Sequence, residues 1–245
     1  VKPPPDPDLI RAQRMDAASG VARVLAHEIA NYLGSARTML SLLGEELGPD
    51  PQAKADLDVV VRTVDSATKL VLALRGFAHA PPLGAGPADL NAVLRDAEPA
   101  LRALLPAGKN LHLDLATQPL AVVADASPLA RLALDLVASA NHLLPVGGRI
   151  DVTTERAPGP AGKRVALLVV RSDGPGLEPA TAARLFEPFV FDIAHDAGLR
   201  LPTAYATVTR SGGTITVESS PGAGTAIRVT LPLAPARARP VGVTS

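Results

Sequence analysis

The sequence predicts an α+β protein, a long N-terminal helical hairpin followed by a separate α/β unit. Three observations predict it. Apolar residues recur in steps of three and four from Met15 to Leu43, the spacing of one helix face. The cluster Gly48-Pro49-Asp50-Pro51 stops that run, and a second run of the same period follows. Beyond a Pro- and Gly-rich stretch at 78–90, apolar residues alternate in short segments, which is the period of a strand.

Residues 1–8 are proline-rich and read as a tether. From Leu9 to Leu47 there is no proline, and Met15, Ala18, Ala22, Leu25, Ile29, Tyr32, Ala36, Met39 and Leu43 form a coiled-coil-like seam. Leu33, Leu40 and Leu47 widen the apolar face. In the second helix Leu57, Val60, Val64, Ala67, Val71 and Leu74 repeat the pattern, widened by Val61 and Leu70. Two such helices joined by a short turn make a hairpin over residues 9–79. One hairpin leaves part of both wide stripes in water. Two hairpins in a four-helix bundle cover them, so a homodimer is expected; the alternative is a hairpin packed on its own C-terminal unit.

After a linker at 80–90, a second unit is expected over 91–233. Its strands are LHLDL at 111–115, AVVAD at 121–125, a hairpin of 149–155 with 163–171, and then TITVES and AIRVTL. A helix is expected at 127–144, ended by Pro145 and Gly147-Gly148, with shorter ones near 179–186 and 202–211. Residues 234–245 read as a flexible tail.

Composition narrows the function classes. Lys+Arg is 24 and Asp+Glu is 24, a net charge of zero that argues against nucleic-acid binding and against an anionic membrane surface. Without cysteine there is no disulfide framework, zinc–thiolate site or cysteine nucleophile. No apolar stretch reaches the roughly 20 residues of a membrane helix, and a cytoplasmic location is expected. His79, His112, His142 and His195 are scattered and make no metal-ligand spacing.

The remaining histidine stands apart. In Leu25-Ala26-His27-Glu28-Ile29-Ala30-Asn31 the seam register turns Leu25 and Ile29 inward and His27 outward. Asn31 lies four residues on, along the same helical face, and Glu28 is adjacent. A neutral imidazole nitrogen can attack phosphorus, a neighbouring carboxylate can hold or accept the proton of the other ring nitrogen, and an amide one turn away can position a water or a phosphoryl oxygen. Taken alone, the motif is also what a solvated helix face offers; the dimer-like seam beneath it gives it weight.

LAHEIANYLGS resembles the H-box of the dimerisation and histidine-phosphotransfer domain of histidine kinases, with Tyr32 where that family usually has proline. The resemblance implies a phosphoacceptor role for His27, an acid/base role for Glu28, and for Asn31 a role in hydrolysing a partner's aspartyl phosphate. It extends into the second half. Leu134 to Ala140 with Leu144 to Ile150 is similar to the N-box region of the kinase ATPase domain. Ser172-Asp173-Gly174-Pro175-Gly176-Leu177 is similar to its first glycine box, and Arg184-Leu185-Phe186-Glu187-Pro188-Phe189 to its F-box. Arg210 to Ser219 with Gly222-Ala223-Gly224-Thr225 is similar to its closing hairpin. A Bergerat-type α/β sandwich is thereby implied for the second unit.

The polar residues by which that family binds nucleotide are those that differ. Ser139 stands at the N-box asparagine that helps hold Mg²⁺, and a hydroxyl is a shorter and poorer ligand for a hard cation. Asn141 is nearby but rotated by about 200°, and Asp135 replaces another usual asparagine. Aligning Gly174 and Gly176 puts Ser172 where an aspartate accepts the adenine amino group; Asp173, one place off, points the other way in an extended segment. In the second glycine box Gly198 fits the middle glycine, but Arg200 replaces the last. The lid from Val190 to Ala197 is short and lacks glycine.

These features give a degenerate nucleotide site beside an intact histidine motif. The expected function is a phosphorelay protein resembling dimeric histidine phosphotransferases, exchanging phosphoryl groups with receiver-domain aspartates, with no cofactor expected. One alternative is an atypical ATP-dependent kinase that uses ATP and Mg²⁺. The other is a non-catalytic dimeric adaptor or response-regulator phosphatase.

Overall fold

The computed structural model describes residues 7–48, 50–145, 147–188 and 197–235. The expected tail beyond 235, most of the tether, the lid at 190–196 with His195, and the side chains of Met15 and Ala18 lie outside the described residues. The described residues fall into two compact units, those within 1–81 and 179–207, and those within 82–178 and 208–245.

The first unit is dominated by α1 (Pro7–Glu46) and α2 (Pro51–His79). Between them Asp50 caps α2 by accepting from the Gln52 backbone N–H at 3.0 Å, and Pro51 stands at a first-turn position where its missing N–H costs nothing. The helices run antiparallel. Arg37 on α1 pairs with Asp65 on α2 at 2.6 Å, and a Cβ at Gly44 would sit 3.2 Å from a methyl of Leu57.

Along α1 the buried positions are small, Ser19 and two alanines. Ala22 and Ala26 are enclosed, with Leu33, Ala36 and Leu40 half-buried below them. Leu25 and Ile29, which the seam register turns inward, are 46% and 39% exposed, and Tyr32, Met39 and Leu43 are exposed too. The apolar arc of α1 is wider than α2 covers. The small alanines face inside the single chain, and the larger residues on the adjoining flank are left uncovered. The short α5 (Pro179–Ala183) and most of α6 (Ala197–Arg210) group with this unit, where Phe186 packs on Tyr205 with ring centroids 5.5 Å apart.

The second unit is built on five strands in the order β2-β4-β5-β7-β6, namely Asn110–Asp114, Arg149–Pro158, Arg164–Ser172, Thr225–Pro232 and Thr214–Ser219. β2 runs parallel to β4 and the other neighbours are antiparallel. Ile150, Val152, Leu168, Val170, Ile227 and Val229 are buried, the alternate residues of the three central strands. α4 (Ala126–His142) contributes Leu129, Leu132, Ala133, Leu136 and Val137 to that core.

Two elements of this unit escape the periodicity of the sequence. β1 (Pro87–Asp89), in the stretch read as linker, forms an antiparallel ribbon with β3 (Ala121–Val123), and α3 (Leu90–Ala103) follows at once. A three-residue strand in a Pro- and Gly-rich segment has no alternation to detect, and Pro99 interrupts the pattern of α3. What holds this corner is polar. Asp89 accepts from the backbone N–H groups of Asn91 and Leu120 at 3.2 and 3.0 Å. Asn91, 1% exposed, donates to the carbonyls of Ala116 and Gln118 at 2.9 Å and accepts from the Thr154 hydroxyl at 2.7 Å. The remaining helices and strands lie within a few residues of their expected places.

Candidate functional site

His27 sits in the middle of α1, an uninterrupted helix from Pro7 to Glu46, and is exposed together with Glu28 and Asn31. Ala26, immediately before it, is fully buried, so the backbone at this turn is anchored while the imidazole stands free. Neither His27 nor Glu28 is engaged by another described residue, and the ring is open to an incoming group. One turn on, the Ser35 hydroxyl donates to the Asn31 carbonyl at 3.1 Å.

The residues expected at a nucleotide lie in the other unit, apart from Gly198 and Arg200, which group with the helices and are buried and half-buried. Their polar atoms are engaged within the protein. Ser139, 5% exposed, donates its hydroxyl to the Asp135 carbonyl one turn back at 2.8 Å. Asp135 faces Arg131 at 3.5 Å. Asp173 is exposed and its carboxylate accepts from the Arg149 backbone N–H at 2.7 Å. Ser172, 1% exposed, directs its hydroxyl to the Thr225 carbonyl over a long 3.5 Å, while the Thr225 hydroxyl pairs with Ser219 at 2.8 Å. Asn141 accepts from the Lys109 ammonium at 2.8 Å and donates to the Leu104 carbonyl at 3.1 Å. The lysine, which also reaches the Asn141 and Leu144 carbonyls, had no signal in the sequence because it approaches α4 from the loop before β2.

The glycines of the box have a packing reason to be there. Gly176 has φ +74°, and a Cβ on it would fall 1.9 Å from the Ser220 carbonyl oxygen. A Cβ on Gly174 would fall 2.7 Å from the Leu143 carbonyl oxygen, which places this turn against the end of α4. Gly222 N–H to the Pro175 carbonyl at 2.7 Å, and Leu177 N–H to Ser219 at 2.9 Å, join the turn to the loop between β6 and β7.

Comparison with known proteins gives this arrangement its family. Residues 124–235 match the family described as histidine kinase-, DNA gyrase B- and HSP90-like ATPase. The sensory histidine kinase/phosphatase NtrB of Rhodobacter capsulatus is 30% identical over 89% of this chain and 63% of its own length. The probable sensor histidine kinase TcrY of Mycobacterium tuberculosis is 32% identical over 85% of this chain and 44% of its own. This is a histidine kinase-like protein. Among solved structures, the mycobacterial sensor histidine kinase MprB aligns over 61% of the chain and 99% of its own, with a TM-score of 0.51 and 27% identity. Full-length ShkA, solved in complex with AMPPNP, aligns over 89% of the chain and 47% of its own; its TM-score of 0.70 at 22% identity is a likeness of fold. The histidine kinase-like chain thus spans under two thirds of these curated relatives. Among its described residues no helix is long and apolar enough to cross a membrane.

The family implies a magnesium nucleotide, and the side chains of this histidine kinase-like protein are a poor fit to one. Ser139 offers a hydroxyl already bound to its own helix, and Asp173 a carboxylate already bound to a backbone N–H.

Proposed function

We propose that this chain acts in two-component signalling as a phosphoryl carrier, taking a phosphoryl group from the aspartate of one receiver domain onto His27 and passing it to another. The observation that carries this reading is the contrast between two places in the fold. The His27 imidazole is open beside Glu28, while Ser139 and Asp173 are turned into backbone contacts. In the transfer a ring nitrogen of His27 bonds to phosphorus as the bond from phosphorus to the receiver's carboxyl oxygen breaks, and the carboxylate leaves. Glu28 holds the proton on the other ring nitrogen, and Asn31 orients a phosphoryl oxygen or, for hydrolysis, a water. The uncovered apolar flank of the hairpin supports a homodimer, in which a second copy completes a four-helix bundle. The second unit then serves as scaffold rather than as phosphoryl source.

Incubation with a radiolabelled phospho-receiver tests the proposal. Wild-type chain becomes labelled and His27→Ala does not; equal labelling of the two ends it. The second reading, an atypical ATP-dependent kinase, is favoured by the names of the relatives, which are sensor kinases. It requires labelling of His27 from Mg·ATP with no receiver present.

A further inference from the structure

An arginine in the second unit lies where the strand pattern calls for a core residue. Along β4, Ile150, Val152 and Thr154 are buried while their alternates lie on the opposite face. Arg156 continues the core-facing row, yet it is exposed. It opens into a cleft of about 570 Å³ whose other walls include Pro87, Pro119, Ala121, Leu233 and Pro235. The walls are tied together. Pro87 is paired with Val123 in the β1–β3 ribbon, Val122 bridges Leu233, and the Ala234 N–H donates to the Ala121 carbonyl at 2.8 Å. Prolines add rigidity and no N–H, so the guanidinium is the cleft's strong donor. Arg102, Arg149 and Arg228 each face a carboxylate, whereas Arg156 is engaged by no described residue.

We propose that this cleft binds a small amphipathic anion, its carboxylate or phosphate on Arg156 and its apolar body against the proline and leucine walls. The volume lies in the range of ligand sites, and such sites combine apolar walls with a few fixed polar groups. A guanidinium presents a fork of N–H donors that matches a carboxylate or phosphate in two bonds. The site is independent of His27 and gives the second unit a ligand-responsive role without nucleotide.

The test is a ¹⁵N NMR titration of the full chain with decanoate, and with decyltrimethylammonium as the probe of opposite charge. Saturable shifts of the Ala121 and Ala234 amides are expected with decanoate and not with the cation. Arg156→Gln is expected to weaken decanoate binding about tenfold, the worth of one charged hydrogen-bonding pair. Arg171→Gln, on the opposite face of the sheet, leaves it unchanged. Still amides, an equal response to the cation, or an unaltered affinity in Arg156→Gln overturns the proposal.

Discussion

At Gly176 a glycine that looks like a nucleotide-binding residue is required by the chain itself. Its φ is +74°, and the Ser220 carbonyl occupies the place of a Cβ. Gly176→Ala is therefore expected to destabilise the protein by at least about 2 kcal/mol, from left-handed strain and the displaced loop together. Urea unfolding followed by circular dichroism measures it, and the loss is expected to be the same with and without ATP. Asn91 shows the same principle in a side chain. Both of its side-chain N–H groups and one lone pair of its carbonyl oxygen are met by named partners, so it marks a corner of the fold and not a reactive site. Ser139 and Asp173 read alike: their polar atoms hold backbone in place.

At the scale of the element, α1 carries two functions on separate faces. One flank presents Leu25, Ile29, Tyr32, Met39 and Leu43 to water, a continuous apolar band too large for a lone helix surface. Another presents His27 and Asn31. Replacing Ile29 and Leu43 together by aspartate puts charges into the proposed seam and is expected to give a monomer by sedimentation, with helical content retained by circular dichroism because the Ala22 and Ala26 face still packs inside the chain. A dimer that survives both charges places the second copy elsewhere. Both helices and their turn were legible from spacing and from Gly48-Pro49-Asp50-Pro51. Which part of the wide stripe the chain itself buries was not, because period alone ranks alanine and leucine positions equally.

Over the whole molecule, a helical hairpin bearing the histidine is joined to an ATPase-like unit in which Ser139 and Asp173 bond to backbone. Saturating Mg·ATP is therefore expected to leave the melting temperature unshifted within about 1 °C, since stabilisation follows RT ln(1 + [L]/Kd) and vanishes without binding. A rise of several degrees moves the balance to the kinase reading. Local period and short motifs along the chain were enough to read the hairpin, most of the strands beyond it, the exposed setting of His27 and the family resemblance. Tertiary structure decided what depends on partners far apart in sequence: the β1–β3 ribbon, the lysine that holds Asn141 from 32 residues away, and the hydroxyl pairing of Ser219 with Thr225. It also decided which apolar flank of α1 stays bare and that Arg156 opens into a cleft. Burial and hydrogen bonding are set by what the fold brings close, and no pattern within a single strand or helix carries that information.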